Sequence, residues 1–289
     1  MPRQTRERQH PPMPAPVALV TGASRGIGAA LAQTLAAAGW SVAITARTQL
    51  EGQRHEHQLM RPDGTALSGS LASTAQALAE LGAACLALPM DLVDRSSTEE
   101  TVAKVVNHFG RLDLLVNNAV YQGSASNALL QDLQTEGLMQ TLWANVAAPM
   151  QLAQHALRVM VHQGGGTLIN VCSGAGRFDP PVPADRGGWG FAYGASKAAL
   201  MRLAGCINVE YAGKGIRAFS VNPGLVRTEA VTATLGDDGV LERAHGSASP
   251  ESVSRVMLWL ITDPRGQALA LKGQMVDLQK LMPELGITD

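Results

Sequence analysis

Residues Pro16–Trp40 read PVALVTGASRGIGAALAQTLAAAGW. Pro16–Thr21 is a short apolar run rich in β-branched residues, the pattern of a buried strand. Three glycines follow, Gly22, Gly26 and Gly28, and then an Ala/Leu-rich stretch with helical character that stops near Gly39. A strand, a glycine turn and a helix in that order leave the helix's first N–H groups free to meet a phosphate. Glycine supplies the tight turn and lets a ligand approach the backbone. The spacing is Gly-x3-Gly-x-Gly rather than the Gly-x-Gly-x2-Gly of the general dinucleotide fingerprint. Close packing of helix on strand would also use such glycines.

Outward from this unit the same alternation repeats. Strands are expected at Ser41–Arg47, Ala83–Leu88, Arg111–Val120, Gly166–Val171 and Gly215–Thr228, the last running into a Pro-Gly turn, with a weak seventh at Ala270–Leu278. Helices are expected at Leu71–Leu81, Thr98–Phe109, Leu133–Arg158, Phe191–Tyr211 and Glu251–Ile261. This predicts an α/β fold of Rossmann type: a doubly wound, seven-stranded parallel sheet with helices on both faces. Residues 16–278 form its one domain, residues 1–15 a disordered lead-in rich in Pro and charge, and residues 279–289 a tail. Two long polar connections stand out, Thr48–Ser70 and Glu229–Pro250, the second with the length of a substrate lid.

Composition narrows the function. The formal net charge is −1, which argues against nucleic acid as the main partner. No apolar run reaches the roughly 18 residues of a membrane span. The lead-in lacks the apolar core of a secretory signal. Cys85, Cys172 and Cys206 are scattered in apolar contexts and read as reduced thiols of a cytoplasmic protein. His55 and His57 are the only closely spaced histidines; with no cysteine nearby they make a poor metal site, and no metal is expected.

Charge placement speaks to the cofactor. An acidic residue near the end of the second strand would bind a ribose 2′-hydroxyl. Here that end is Ala46-Arg47, and Arg25 lies in the glycine turn. Two guanidinium groups without an acid favour a 2′-phosphate, hence NADP(H) over NAD(H). Asp91, just past the third strand, is placed to accept from an adenine amino group or to cap the next helix. Asn117 and Asn118 can hold the fourth strand's end open, and Asn145 lies in an apolar helix where a buried amide needs a partner.

The stretch Gly166–Leu203 carries the reaction chemistry. A strand ends at Ser173, and a helix carries Tyr193 and Lys197 four residues apart, hence on one face. A hydroxyl, a phenol and an ammonium could converge on one carbonyl oxygen. A phenol ordinarily ionises near pH ~10, and a neighbouring ammonium favours its anion. Such a phenol can act as general acid in reduction and general base in oxidation.

Taken together, TGASRGIG (Thr21–Gly28), Asp91, NNA (Asn117–Ala119), Asn145, Ser173, YGASK (Tyr193–Lys197) and NPG (Asn222–Gly224) make the chain resemble the short-chain dehydrogenase/reductase family over residues 16–278. The resemblance implies a catalytic set of Asn145, Ser173, Tyr193 and Lys197, with Asn145 holding a water that links Lys197 to bulk solvent. It implies cofactor contacts from Gly22, Ser24, Arg25, Gly26, Ile27, Gly28, Arg47, Asp91, Leu92, Asn117, Asn118 and Ala119. Tyr193, Lys197 and Val226 would also contact the cofactor, and Pro223, Gly224 and Thr228 would flank its nicotinamide end. It also implies a small-molecule carbonyl or alcohol substrate and a homodimer or homotetramer. A dinucleotide-binding regulator without turnover is the competing reading, though it has no use for Ser173, Tyr193 and Lys197 together. The chain departs from the family at Val120, where Gly is usual, and at Asp277-Leu278-Gln279, where Asp-Gly-Gly is usual. The connection from Ser173 to Tyr193 is also long; its Phe178, Trp189 and Phe191, with Val120 and Met150, are expected around an apolar substrate.

Overall fold

The computed structural model describes residues 14–56, 59–235 and 246–289. Seven parallel strands form one sheet in the order β3-β2-β1-β4-β5-β6-β7. They are β1 (Val17–Thr21), β2 (Ser41–Ala46), β3 (Cys85–Pro89), β4 (Leu114–Asn117), β5 (Gly166–Val171), β6 (Ile216–Asn222) and β7 (Met275–Asp277). The helices are α1 (Gly26–Ala37), α2 (Leu71–Glu80), α3 (Arg95–Phe109), α4 (Thr135–Leu142), α5 (Ala148–His162), α6 (Phe191–Glu210), α7 (Glu229–Leu235), α8 (Pro250–Thr262) and α9 (Leu278–Glu284).

Side chains alternate across each central strand, so the sheet feeds two cores. Ala18 and Val20 of β1, Val116 of β4 and Phe219 of β6 pack with Leu31 and Leu35 of α1, Val256 and Leu260 of α8 and Met282 of α9. Val17, Leu19, Leu115, Leu168 and Ala218 point the other way, onto Val105 of α3, Leu152 and Ala156 of α5 and Ile207 of α6. The strand order reverses between β1 and β4, and a crevice opens there beyond the strands' C-terminal ends.

Several expected boundaries move. α3 starts at Arg95, capped by Asp94 Oδ1, which accepts from Ser96 N at 2.9 Å; Asp91 is therefore not the cap. The helix expected over 133–158 is two helices joined by a π turn at Trp143–Ala147. Pro149 lacks the N–H that would bond to the carbonyl of Asn145 four residues back, and the chain widens to pass it. The seventh strand shrinks to three residues because Gln267–Leu271 turns as a 3-10 helix. Instead of a loose tail, residues 278–284 form α9, with Leu278 and Met282 buried. Of the expected lid, residues 229–235 are helical, Ala248 bridges to Val226, and residues 236–245 lie outside the described residues. The lead-in through residue 13 and His57 also lie outside them. Among the described residues no helix is long and apolar enough to cross a membrane.

Candidate active site

The crevice holds a cleft of about 340 Å³ whose walls come from the ends of six strands. Gly22, Ser24, Arg25, Gly26 and Ile27 follow β1, Arg47 follows β2, and Asp91 and Leu92 follow β3. Asn118 and Ala119 follow β4, Pro223 and Thr228 follow β6, and Tyr193 and Lys197 come from α6. Gly28, Asn145, Ser173, Gly224 and Val226 are not part of this wall.

The glycine turn is shaped first by its own chain. Gly22 has φ of 68°, and a Cβ there would stand 2.7 Å from Ala119 Cα. A Cβ on Gly28 would overlap the carbonyl of Gly22 and come within 2.6 Å of Asn118 Nδ2. Only glycine lets β1's turn lie this close to the end of β4. Asn118 fastens the two: its Nδ2 donates to Thr21 O at 2.8 Å, and Thr21 Oγ1 accepts from the N–H groups of Asn118 and Ala119 at 3.0 Å. Asn117 points away from the cleft. It is buried, with Nδ2 donating to Asn170 Oδ1 at 3.0 Å, so its expected cofactor contact gives way to a strand-to-strand bond.

The two arginines separate. Arg25 donates from Nε to Ser68 O at 2.7 Å and from one Nη to Gly69 O at 2.7 Å and Leu67 O at 3.4 Å. Its guanidinium thus ties the long 48–70 connection to the glycine turn, and burial lowers its pKa. Gly69, with φ of 100°, permits the contact, since a Cβ there would lie 2.5 Å from Ser24 O. Arg47 stays at the cleft wall, 3.9 Å from Asp91 Oδ2, with Nη1 donating to Glu56 O at 3.1 Å. Leu59 and Leu67 of the 48–70 connection also line this end. Nothing in their local sequence marks them, because their position depends on the Arg25 contacts.

At the other end, α6 places Lys197 in the protein interior, 4% exposed. Its Nζ donates to Val171 O at 3.0 Å and lies 5.8 Å from the centre of the Tyr193 ring. Ser173 caps the short turn Gly174–Gly176, its Oγ accepting from Ala175 N at 3.2 Å. A Cβ on Gly176 would stand 2.7 Å from Lys197 C, so this turn lies against α6 at the lysine. Cys172 lines the cleft beside Val171, and burial pushes its thiol up to about 11.

Asn145 sits in the π turn and holds the backbone of Tyr121 on both sides, with a longer contact from Nδ2 to Ser196 Oγ at 3.4 Å. Its Oδ1 accepts from Tyr121 N at 2.8 Å and its Nδ2 donates to Tyr121 O at 3.1 Å. Asn222 joins two turns: its Oδ1 accepts from Gly174 N and from Gly224 N, both at 3.2 Å, while Nδ2 donates to Asp277 Oδ1 at 2.8 Å. Gln279 completes the support, donating to Pro223 O at 3.0 Å and Leu225 O at 2.6 Å. Of the residues expected around the substrate, Val120 lines the cleft; Met150, Phe178, Trp189 and Phe191 do not. Trp189 is half-buried against α6 instead, near Gly194.

The donor set suits a dinucleotide. The first turn of α1 has no side-chain cap and no acidic residue, leaving N–H groups for a diphosphate. A cation and a carboxylate stand at one end of the cleft, a phenol and an ammonium at the other.

Comparison with known proteins agrees. Residues 16–68 and 64–238 match the family described as short chain dehydrogenase. A carbonyl reductase family member 4 of Xenopus laevis is 30% identical over 89% of this chain and 96% of its own length. A 3-oxoacyl-(acyl-carrier-protein) reductase of Escherichia coli (strain K12) is 30% identical over 90% of this chain and 96% of its own. A crystal structure of a short-chain type dehydrogenase/reductase from Mycobacterium marinum superposes with a TM-score of 0.74 at 27% identity, covering 92% of this chain and 94% of that one. Similarity of sequence and of fold thus runs through both halves of the sheet and across the cleft between them, and the chain belongs to the short-chain dehydrogenase family of oxidoreductases.

Proposed function

We propose that this protein is an NADP(H)-dependent reductase of ketones, acting on an apolar ring or acyl substrate in the cytoplasm. The observation that carries the reading is the buried Lys197 ammonium, fixed by Val171 O beside Tyr193 at the wall of the cleft. The dinucleotide, when bound, supplies or accepts the hydride. Tyr193 gives its phenolic proton to the substrate oxygen in reduction and takes it back in oxidation. Lys197 favours the phenolate left behind, because an ammonium held nearby stabilises the anion. Ser173, next in sequence to Cys172 of the wall though not itself part of it, donates to the same oxygen as negative charge grows on it. Asn145 positions the Tyr121 segment of the wall and holds water on the path to Lys197.

Arg47 supports the choice of NADP(H): it is the cation at the end of β2, where no carboxylate of that strand competes. The names of two relatives point the same way on substrate, one to a carbonyl and one to a 3-oxoacyl group. Val120 at the cleft wall adds apolar surface. Met139, Met150, Val161 and Val209 are exposed along α4, α5 and α6 and offer a face for a homodimer or homotetramer.

The test is Tyr193→Phe. It should lower ketone-dependent NADPH oxidation by about 100- to 10,000-fold, the scale of losing a general acid, while NADPH affinity stays within about twofold. Retention of most turnover would sink the assignment. Tight NADPH binding by the unaltered protein with no turnover on a broad ketone panel would favour a regulator instead.

A further inference from the structure

Among the described residues Glu229 is the one acid that reaches the cleft beside the glycine turn, and the reaction chemistry gives it no part. It is the first residue of α7 and follows Thr228 directly. Thr228 packs on the turn, its Cγ2 standing 3.1 Å from where a Cβ on Gly26 would be. Thr228 is itself held on both sides: its N donates to Val226 O at 2.8 Å, and its Oγ1 accepts from Val231 N at 3.2 Å. The start of α7 is thus seated on the start of α1.

Glu229 Oε2 is buried there and has no hydrogen-bond partner among the described residues. It lies 3.6 Å from the position of a Gly26 Cβ. Glu229 as a whole is half-buried, and an anionic oxygen held out of water without a donor is costly. Two positive features hold this one. The N-terminal turn of α1 has neither a capping side chain nor an acid of its own, so its dipole is uncompensated. Arg25 lies close enough that Glu229 is the strongest charge acting to raise its pKa.

A diphosphate would require the same helix N-terminus. Two anions cannot share it without strong repulsion at low dielectric. We infer that Glu229 is a built-in competitor for the cofactor's diphosphate, its carboxylate covering the first turn of α1 until a dinucleotide displaces it. The inference rests on the dinucleotide reading of the cleft. Binding then exchanges an unpartnered carboxylate for a phosphate that the N–H groups can serve, and Glu229 rotates into solvent. The side chain sets how tightly the cofactor is held without touching the reacting atoms.

Glu229→Gln and Glu229→Ala test this by calorimetry with NADPH, inorganic diphosphate and adenosine as probes. Removing the charge should tighten NADPH and diphosphate by about fivefold in both variants, the scale of a partly buried helix-terminus interaction. Adenosine, which has no phosphate, should bind as it does to the unaltered protein, and the thermal unfolding midpoint should not fall. Unchanged or weaker NADPH binding in a folded Gln variant would overturn the inference and leave the dinucleotide reading standing. Tightening by Ala alone would assign the effect to bulk and overturn it equally. If neither the unaltered protein nor the variants bind NADPH, the dinucleotide reading fails and the inference with it.

Discussion

Arg25 and Arg47 look equivalent on paper, and the structure gives them different work. Arg25 spends its donors on the carbonyls of Leu67, Ser68 and Gly69, so it builds the wall that a ligand meets. Arg47 is bound to a single carbonyl and faces Asp91 at a distance longer than a good hydrogen bond. It is the guanidinium that a 2′-phosphate could engage. Arg47→Asp should weaken NADPH binding by about 10- to 100-fold, the value of a charge-assisted pair, and NADH binding by much less. Fluorescence titration with both cofactors checks this; equal losses would remove the basis for NADP(H) preference.

At the scale of elements, two short pieces set the geometry of the site. The first is the π turn at Trp143–Ala147, which presents Asn145 to the Tyr121 peptide 24 residues earlier. Asn145→Ala would leave a buried N–H and a buried carbonyl without partners. The cost should be about 2–4 kcal/mol of stability, read from urea unfolding, with a loss of turnover as the Tyr121 segment relaxes. The second is the start of α9, where Gln279 holds both carbonyls flanking Gly224. Gln279→Ala should cost only about 1–2 kcal/mol, since these groups are partly reached by water. It should raise KM for the dinucleotide more than it lowers kcat, because the Pro223–Leu225 turn flanks the cleft while Tyr193 and Lys197 stand on another element. A fall in kcat alone would contradict that division.

For the whole molecule, the sheet's two cores make a prediction about thiols. Cys172 is buried beside Lys197, and Cys85 is half-buried on the edge strand β3. Burial raises both thiols to about 11, which leaves little thiolate at neutral pH. Cys206 is exposed on α6. In the native protein a chromogenic disulfide reagent at pH 8 should modify one thiol quickly and two slowly, and all three quickly in guanidinium chloride. Three fast thiols under native conditions would contradict the layered core. An oligomer face over Cys206 would slow the first reaction on concentration, and light scattering on the same samples separates the two effects.

Local pattern determined much of this protein. The alternation of apolar strands with Ala/Leu-rich helices specifies a doubly wound sheet, because each strand must bury two faces and each helix one. The glycine turn after β1 and the four-residue spacing of Tyr193 and Lys197 are likewise readable, since both are set within one turn of chain. Tertiary structure decided what depends on distant partners. Asn117 and Asn118 are neighbours in sequence, yet one bonds to Asn170 and the other to Thr21, because successive residues at a strand end face opposite ways. Arg25 meets carbonyls more than 40 residues away, and no local pattern foretells that. The helix α9 is seven residues long with Pro283 inside, too short to be stable by itself, and it exists because α8 and the sheet bury Leu278 and Met282. The glycines were legible as a turn; that Glu229 lies over that turn is a fact of the fold alone.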